Sequence, residues 1–286
     1  MLRYIRHALR DRLIRAVEEV SERHHRAAVE LAERHHREQL AALRREGDRV
    51  ITAVRTAVHE SEIRSRRDLF AAGERDAVAA SARFAREVMP TVPTFPYPQA
   101  TLEHALSLAP AEGMALEFGV FSGQTLKVIA EAREGHGVYG FDSFEGLPEN
   151  WRTGFPTGAF RVDGIPDVPG AELLVGWFDD VLPGFLAEHP GPVALLHVDS
   201  DLYSSARTVL DQVGPRLVPG SVVLFDEYFN YPGWERHEHL AWQEYVERTG
   251  TRFEYEGYTI NNEQVFVRVT EVGGRQPSPG RTQPAS

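Results

Sequence analysis

Six acidic residues stand at or just beyond the ends of apolar runs: Glu117, Asp142, Asp199 and Asp201, then Asp226 and Glu227. In an open α/β sheet, ligands collect beyond the carboxyl ends of the strands, so acids in these places are candidates for chemistry. Two of the runs read Leu195-Leu-His-Val-Asp199-Ser-Asp201 and Val222-Val-Leu-Phe-Asp226-Glu227. Carboxylates from two neighbouring strands, Asp199, Asp226 and Glu227, can converge on one point, and oxygen-only ligation of that kind suits magnesium or calcium. Magnesium would keep several waters or exchange them for substrate oxygens. Asp201 is assigned to capping a helix that begins near Tyr203, and Asp199 to ligation. Asp199 is also the candidate to take a proton from a bound hydroxyl, with His197, two residues earlier on the same strand face, in reserve.

The second group of residues is Glu117-Phe-Gly-Val-Phe-Ser-Gly123, with Asp142 at the end of the next apolar run. A strand, a glycine turn, a helix and a second strand ending in an acid build a nucleoside pocket, in which Asp142 accepts hydrogen bonds from ribose hydroxyls. A dinucleotide site calls for a third glycine three residues after Gly123, inside the helix, and that position is Leu126. Glu117 suits a cationic amino-acid group better than a pyrophosphate. Those features favour S-adenosylmethionine, whose methionine end carries an ammonium and a sulfonium.

These residues need a scaffold, and the apolar periodicity supplies one. Strands are expected over 114–118, 137–141, 173–176, 193–198 and 221–225, with helices over 101–108, 124–133, 180–188, 204–213 and 234–249. Two further runs, 253–258 and 265–269, flank Asn261-Asn262 and form an antiparallel hairpin. The alternation predicts a Rossmann-like α/β fold: a doubly wound, mostly parallel, seven-stranded sheet with an antiparallel C-terminal hairpin. Residues 101–270 make this domain. Residues 89–100, with four prolines in Met89-Pro-Thr-Val-Pro-Thr-Phe-Pro-Tyr-Pro98, form a linker. Residues 271–286, rich in Pro, Gly, Ser and Gln, are expected to be disordered.

Residues 1–88 form an α-helical, coiled-coil-like N-terminal region. Apolar residues recur at helical spacing in Ile5, Leu9, Leu13 and Val17, and in Leu40, Leu43, Val50, Val54 and Val58, with Gly47 and Gly73 as possible breaks. The stripe is a packing face, which predicts a homo-oligomer or a hairpin on its own domain. The pairs His24-His25 and His35-His36 read as solvated surface histidines rather than a metal site.

Net charge is -11, unevenly spread: residues 1–87 carry about +4 and the remainder about -15. The acidic part is a poor surface for nucleic acid. Cysteine is absent, which excludes disulfides, thiolate zinc sites and cysteine nucleophiles. No apolar run approaches the ~18 residues of a membrane span, and no segment has the order of a secretory signal. A soluble, cytoplasmic protein is expected.

Five ordered motifs, Glu117-Phe-Gly-Val-Phe-Ser-Gly123, Gly140-Phe-Asp-Ser-Phe-Glu-Gly-Leu-Pro148, Gly176-Trp-Phe-Asp179, His197-Val-Asp-Ser-Asp-Leu-Tyr203 and Phe225-Asp-Glu227, resemble the macrocin O-methyltransferase group (the TylF/MycF type) of class I S-adenosylmethionine-dependent methyltransferases. The resemblance spans residues 95–269 and leaves out the first 87. It implies an O-methyltransferase acting on a hydroxyl of a sugar or other polyhydroxylated natural product, with Mg2+ held by Asp199, Asp226 and Glu227 and gathering neighbouring sugar hydroxyls. The acidic pair is Asp-Glu where the family often has Asp-Asp. The resemblance further implies that Glu117, Gly119 and Ser122 line the methionine end, that Phe121 and Gly123 belong to the cofactor site, and that Ser143 with Gly176, Trp177 and Phe178 borders the adenine. Trp177 reads equally as a core aromatic. The segment after the metal strand, with Tyr228, Tyr231, Trp234 and His237, is expected to line the acceptor site by stacking on rings. Two other readings compete. A nicotinamide-dependent sugar oxidoreductase lacks the third glycine and a Tyr-x-x-x-Lys pair, Lys127 being the sole lysine. A non-catalytic helical scaffold has no use for an intact acidic triad.

Overall fold

The computed structural model describes the backbone of residues 2–273 and the side chains of residues 12–273. It divides into two compact units, Met1–Asp68 and Leu69–Ser286.

The first unit is one helix, α1 (Leu2–Arg67). At 1.5 Å per residue it is about 100 Å long. Its ion pairs run from Glu19 to Arg23, Glu22 to Arg26 and Glu33 to Arg37, the orientation that opposes the helix dipole least, and each contributes about 0.3 kcal/mol. The helix passes through Gly47, because a single glycine costs a helix only about 1 kcal/mol. The break falls instead at Asp68. His24, His25, His35 and His36 are all exposed.

The second unit contains the sheet. It comprises α2 (Leu69–Val88), β1 (Thr94–Phe95), α3 (Pro98–Leu108), β2 (Met114–Phe118), α4 (Gln124–Ala132), β3 (Val138–Asp142), β4 (Glu172–Val175), α5 (Phe178–Glu188), β5 (Val193–Val198), α6 (Tyr203–Val213), β6 (Leu217–Phe225), α7 (Glu238–Thr249), β7 (Arg252–Thr259) and β8 (Val265–Glu271). The strand order is β1-β7-β8-β6-β5-β2-β3-β4. β2, β3, β4, β5 and β6 pair in parallel, and β8 runs antiparallel to both β6 and β7. The expected seven strands are present. The eighth, β1, lies inside the proline-rich segment and pairs in parallel with β7; Thr94 and Phe95, between Pro93 and Pro96, are the residues there free to join a ladder.

Helices cover both faces, as the alternation predicts. One core cluster joins Leu182 and Phe185 of α5, Val209 and Leu210 of α6 and Trp242 of α7 to the sheet. The other joins Leu102 and Ala105 of α3 and Leu126 and Ile129 of α4. All six residues of β5 are buried, the burial expected of a central parallel strand.

The helical region expected over 1–88 is divided differently. α2 belongs to the sheet unit, where Ala77, Ser81 and Met89 are buried. The Ser81 hydroxyl accepts a hydrogen bond from the Asn230 backbone N–H at 2.8 Å. Gly73 faces Pro232, whose Cγ would lie 3.6 Å from an added Cβ. The rest of the C-terminal segment expected to be disordered, 274–286, lies outside the described residues.

Candidate active site

The sheet order reverses between β2 and β5: β3 and β4 continue on one side, β6 and β8 on the other. Such a reversal leaves a crevice at the carboxyl ends of the two central strands. Backbone pairing extends one residue past each strand, through Gly119 N to Phe141 O (2.9 Å), Asp199 N to Phe118 O (2.9 Å) and Asp226 N to Val198 O (2.8 Å). Gly119, Asp199 and Asp226 therefore stand side by side. Two rows earlier, Glu117 pairs with His197 in register.

Gly119 has φ +98°, and a methyl group there would overlap the Asp199 carbonyl oxygen. Only glycine lets the β2 turn approach the end of β5 this closely. The close packing of helix on strand that a third glycine gives a dinucleotide site is made here from the other side. Gly140 of β3 lies under Leu126 of α4, with Leu126 Cδ2 2.5 Å from the place a Cβ would take. A dinucleotide pattern is absent, yet its packing problem is solved.

A cavity of ≈ 670 Å³ opens at this crevice, a size that suits a small-molecule ligand. Of the residues expected at the nucleoside site, Gly119, Phe121, Asp142, Ser143, Trp177 and Phe178 line it. Trp177 is 38% exposed, so it is a wall of the cavity and not a core aromatic. Ser122 is exposed, and Gly123, with φ +75°, is the N-cap of α4. Neither these two nor Gly176 is on the cavity wall.

Asp142 has a second task. Its Oδ2 accepts from the backbone N–H groups of Val120 (2.9 Å) and Phe121 (2.8 Å), and its Oδ1 from Phe144 N (2.7 Å). The carboxylate thus braces the glycine turn, and with about four acceptor sites in all it retains one for a ligand.

The opposite wall is acidic: Asp199, Asp201, Asp226 and Glu227. Oxygens of Asp199, Asp226 and Glu227 lie within 4.8 Å of one another, which brings the expected ligand set together. Glu227 Oε2 is buried without a hydrogen-bond partner. Burial raises the Glu227 carboxyl well above the usual range, and the charges of Asp201 and Asp226 push the same way. Asp199 is raised well above the usual range by burial and by Asp226. At Asp226 burial is opposed by the hydrogen bond and charge of His197, aided by Gln264, and the net direction is down. Gln264 Nε2 donates to Asp226 Oδ1 at 2.7 Å.

His197 is 1% exposed and is not on the cavity wall. Its Nδ1 lies 3.0 Å from Glu117 Oε1 and its Nε2 3.5 Å from Asp226 Oδ1. Burial alone would lower the imidazole, but the neighbouring carboxylates of Asp226 and Glu117 outweigh it and raise it well above its ordinary value. A side chain held between two carboxylates and shut off from the cavity cannot reach an acceptor hydroxyl, so its place as reserve base is withdrawn. Glu117 is fully buried behind Gly119, and its Oε2 has no hydrogen-bond partner.

Asp201 is not the helix cap. The N-cap of α6 is Leu202, without a side-chain cap bond. Asp201 has φ +61°, uncommon for a residue other than glycine, and faces the cavity at 7% exposure. Burial, then the charge of Asp226, raises its carboxyl to about 7, while Arg152 opposes them. The sequence offers no signal for this backbone conformation.

The segment expected to line an acceptor site is core. Tyr228 and Tyr231 are fully buried, Trp234 nearly so, and none of these, nor His237, lines the cavity. Phe84 of α2 lies 5.5 Å from Trp234, 5.3 Å from His239 and 6.0 Å from Tyr255, centroid to centroid. α2 covers these rings, and their amphipathic tips are used inside: Tyr228 shares a 2.8 Å hydrogen bond with Tyr255, and Tyr231 donates to the Glu227 carbonyl at 3.3 Å. The cavity wall missed from sequence is instead the β3–β4 loop, with Leu147, Glu149 and Phe160. Phe160 meets Phe121 edge-on at 6.0 Å.

Comparison with known proteins agrees with the motifs. Residues 116–228 match the family model described as a methyltransferase domain, and all five motifs fall within that span. An 8-demethyl-8-(2,3-dimethoxy-alpha-L-rhamnosyl)-tetracenomycin-C 4'-O-methyltransferase from Streptomyces olivaceus is 30% identical over 156 residues, covering 44% of this chain and 58% of that protein. The chain thus spans less than two thirds of that relative. Among solved structures, the calicheamicin methyltransferase CalS11 aligns with TM-score 0.46 and 27% identity over 59% of this chain and 76% of that one. The O-methyltransferase NovP aligns with TM-score 0.46 and 23% identity, over 59% and 79%. The resemblance read from the motifs is borne out over the residues that carry it.

Proposed function

We propose that the protein is an S-adenosylmethionine-dependent O-methyltransferase that methylates a hydroxyl of a sugar or other polyhydroxylated small molecule, with a divalent cation at its acidic wall. The observation that carries this reading is one cavity with two unlike walls. The glycine turn, Asp142, Trp177 and Phe178 form one, and Asp199, Asp201, Asp226 and Glu227 the other. A nucleoside donor fits the first wall, where the Asp142 carboxylate keeps an acceptor free and the Trp177 and Phe178 rings stand at the cavity. A divalent cation fits the second, where three carboxylates gather and Glu227 Oε2 is an orphaned buried oxygen. Magnesium held by Asp199, Asp226 and Glu227 would lower the pKa of a hydroxyl bound to it.

The transfer breaks the S–CH3 bond of the sulfonium and forms a C–O bond, releasing S-adenosylhomocysteine. The acceptor proton needs a base other than the ligating carboxylates. Asp201 is that base in this reading: it faces the cavity, and burial brings its carboxyl to about 7, near the working pH that favours proton transfer. The chain's further work is alignment of donor and acceptor.

The exposed apolar residues of α1, among them Leu13, Val17, Leu43, Val50 and Val54, support self-association through this helix. Among the described residues, no helix is long and apolar enough to cross a membrane.

Isothermal titration with S-adenosylmethionine and, separately, NADH, each with magnesium and with EDTA, tests the proposal. Binding of the first alone is expected, followed by methylation in a screen of acceptors bearing neighbouring hydroxyls. Binding of NADH, or of neither, would overturn it.

A further inference from the structure

Glu238, the first residue of α7, is fully buried. A buried carboxylate is costly unless its oxygens are used, and both are. Oε1 accepts from the Ser200 backbone N–H at 3.2 Å and from the Ser200 hydroxyl at 3.4 Å. Oε2 accepts from the Glu227 backbone N–H at 3.1 Å. Ser200 lies between Asp199 and Asp201, and Glu227 follows Asp226. One side chain therefore ties the loop after β5 to the loop after β6, at the residues that carry the acidic wall.

The sheet itself does not make this tie. The backbone bond from Asp226 N to Val198 O is one residue short of Glu227, and Glu227 N and Ser200 N meet only at the Glu238 carboxylate. Glu238 is absent from the cavity wall and from the carboxylate groups close enough to share an ion, so it acts through the residues it holds. Two backbone N–H groups point at it from different loops, and a carboxylate offers an acceptor to each. A glutamine would meet one of them with its own N–H.

We propose that Glu238 is a positioning residue that sets the spacing of Asp199 against Asp226 and Glu227, and thereby the affinity of the acidic wall for a divalent cation, while leaving the donor wall untouched. The inference rests on the cation reading above. Partners that orient metal ligands typically account for about 10- to 100-fold in metal affinity. A bracket reaching two loops at once belongs in that range.

The test uses the full chain and Mn2+ as probe, with free Mn2+ read by electron paramagnetic resonance and S-adenosylhomocysteine affinity read by calorimetry in EDTA. Glu238→Gln is expected to weaken Mn2+ binding about tenfold or more and to leave S-adenosylhomocysteine affinity unchanged. Glu238→Asp, which keeps the carboxyl group on a shorter stem, is expected to bind Mn2+ more weakly than wild type and more tightly than Glu238→Gln, and its loss against wild type carries the test if the glutamine variant does not fold. Equal Mn2+ affinity in wild type and variants overturns the positioning role. So does a parallel loss of S-adenosylhomocysteine affinity, which would mark a merely structural residue. A wild-type chain that binds no Mn2+ sinks the cation reading itself, a result distinct from either.

Discussion

Replacing Asp201 with asparagine should make the protein more stable and nearly inactive, and the size of the gain follows from the site. Burial and the charge of Asp226 raise the Asp201 carboxyl from 3.8 to about 7. Between those values the folded protein holds a proton that the unfolded chain has released, so stability falls as pH rises through that window. With each pKa unit worth about 1.4 kcal/mol, the carboxylate costs the fold about 2 kcal/mol at about pH 5 and about 4 kcal/mol at about pH 8. Asparagine has nearly the same shape and no charge to lose. Asp201→Asn should therefore raise the midpoint of thermal unfolding in EDTA by roughly 8–16 °C at about pH 8 and roughly half as much at about pH 5. Methyl transfer to an acceptor from the screen should fall about 100- to 10,000-fold, the usual contribution of a general base, with S-adenosylhomocysteine affinity unchanged. Calorimetric scans at the two pH values decide the matter. A gain that is absent, or equal at both, would refute the assignment of Asp201 as a carboxylate that the fold is forced to hold.

Other substitutions probe the two walls and the N-terminal helices. Gly119→Ala, forced to φ +98° and into the Asp199 carbonyl, should cost about 3 kcal/mol in denaturant unfolding and abolish S-adenosylhomocysteine binding; binding near the wild-type level would show that the turn does not touch the donor. Trp177→Ala should weaken S-adenosylhomocysteine about tenfold by removing an aromatic wall and leave Mn2+ binding alone, an outcome calorimetry distinguishes from general damage. Removing residues 1–68 should leave a folded monomer in size-exclusion chromatography with light scattering. Extending the cut through 88 removes Phe84 and Ser81 from the Tyr228–His239 segment and should cost about 3 kcal/mol or more, the usual result of deleting a packed aromatic. An unchanged mass after the shorter cut would refute α1 as the oligomer contact.

The order of strands and helices was legible because parallel strands buried on both faces read as continuous apolar runs, which are hard to mistake in a chain that punctuates them with glycine and proline. What periodicity could not tell was which stripe meets which partner. α2 carries the same kind of stripe as α1, yet one packs on the sheet domain and the other stays exposed. Small residues spaced four apart do not decide it, since α1 has Ala53, Ala57 and Ser61 where α2 has Gly73, Ala77 and Ser81. The 228–239 segment decides it, meeting α2 through Pro232, the Asn230 backbone N–H and the ring of Trp234.

The site divides along the same line. Register is a local consequence of pairing, so Gly119, Asp199 and Asp226 in one row, with Glu117 and His197 two rows behind, follow from where each apolar run ends. Asp201 and the aromatic segment do not, because each depends on something that arrives from elsewhere in the chain. A run of aromatics after an acid-ended strand is equally suited to stacking on a ligand or to filling a core, and the arrival of Phe84 decides for the core. Asp201 looks like a helix cap until its backbone turns left-handed. The turn is a tight one, closed by the Leu202 N–H donating to the Ser200 carbonyl at 2.6 Å, and Glu238 holds Ser200 by both the backbone N–H and the hydroxyl. A capping aspartate would have to direct its carboxylate at the start of α6. The chain instead reaches α6 through a positive φ at Asp201, which lines the cavity. As proposed, Glu238 positions the acidic wall and Asp201 takes the acceptor proton, and Ser200 links the two, since it bonds to the first and precedes the second.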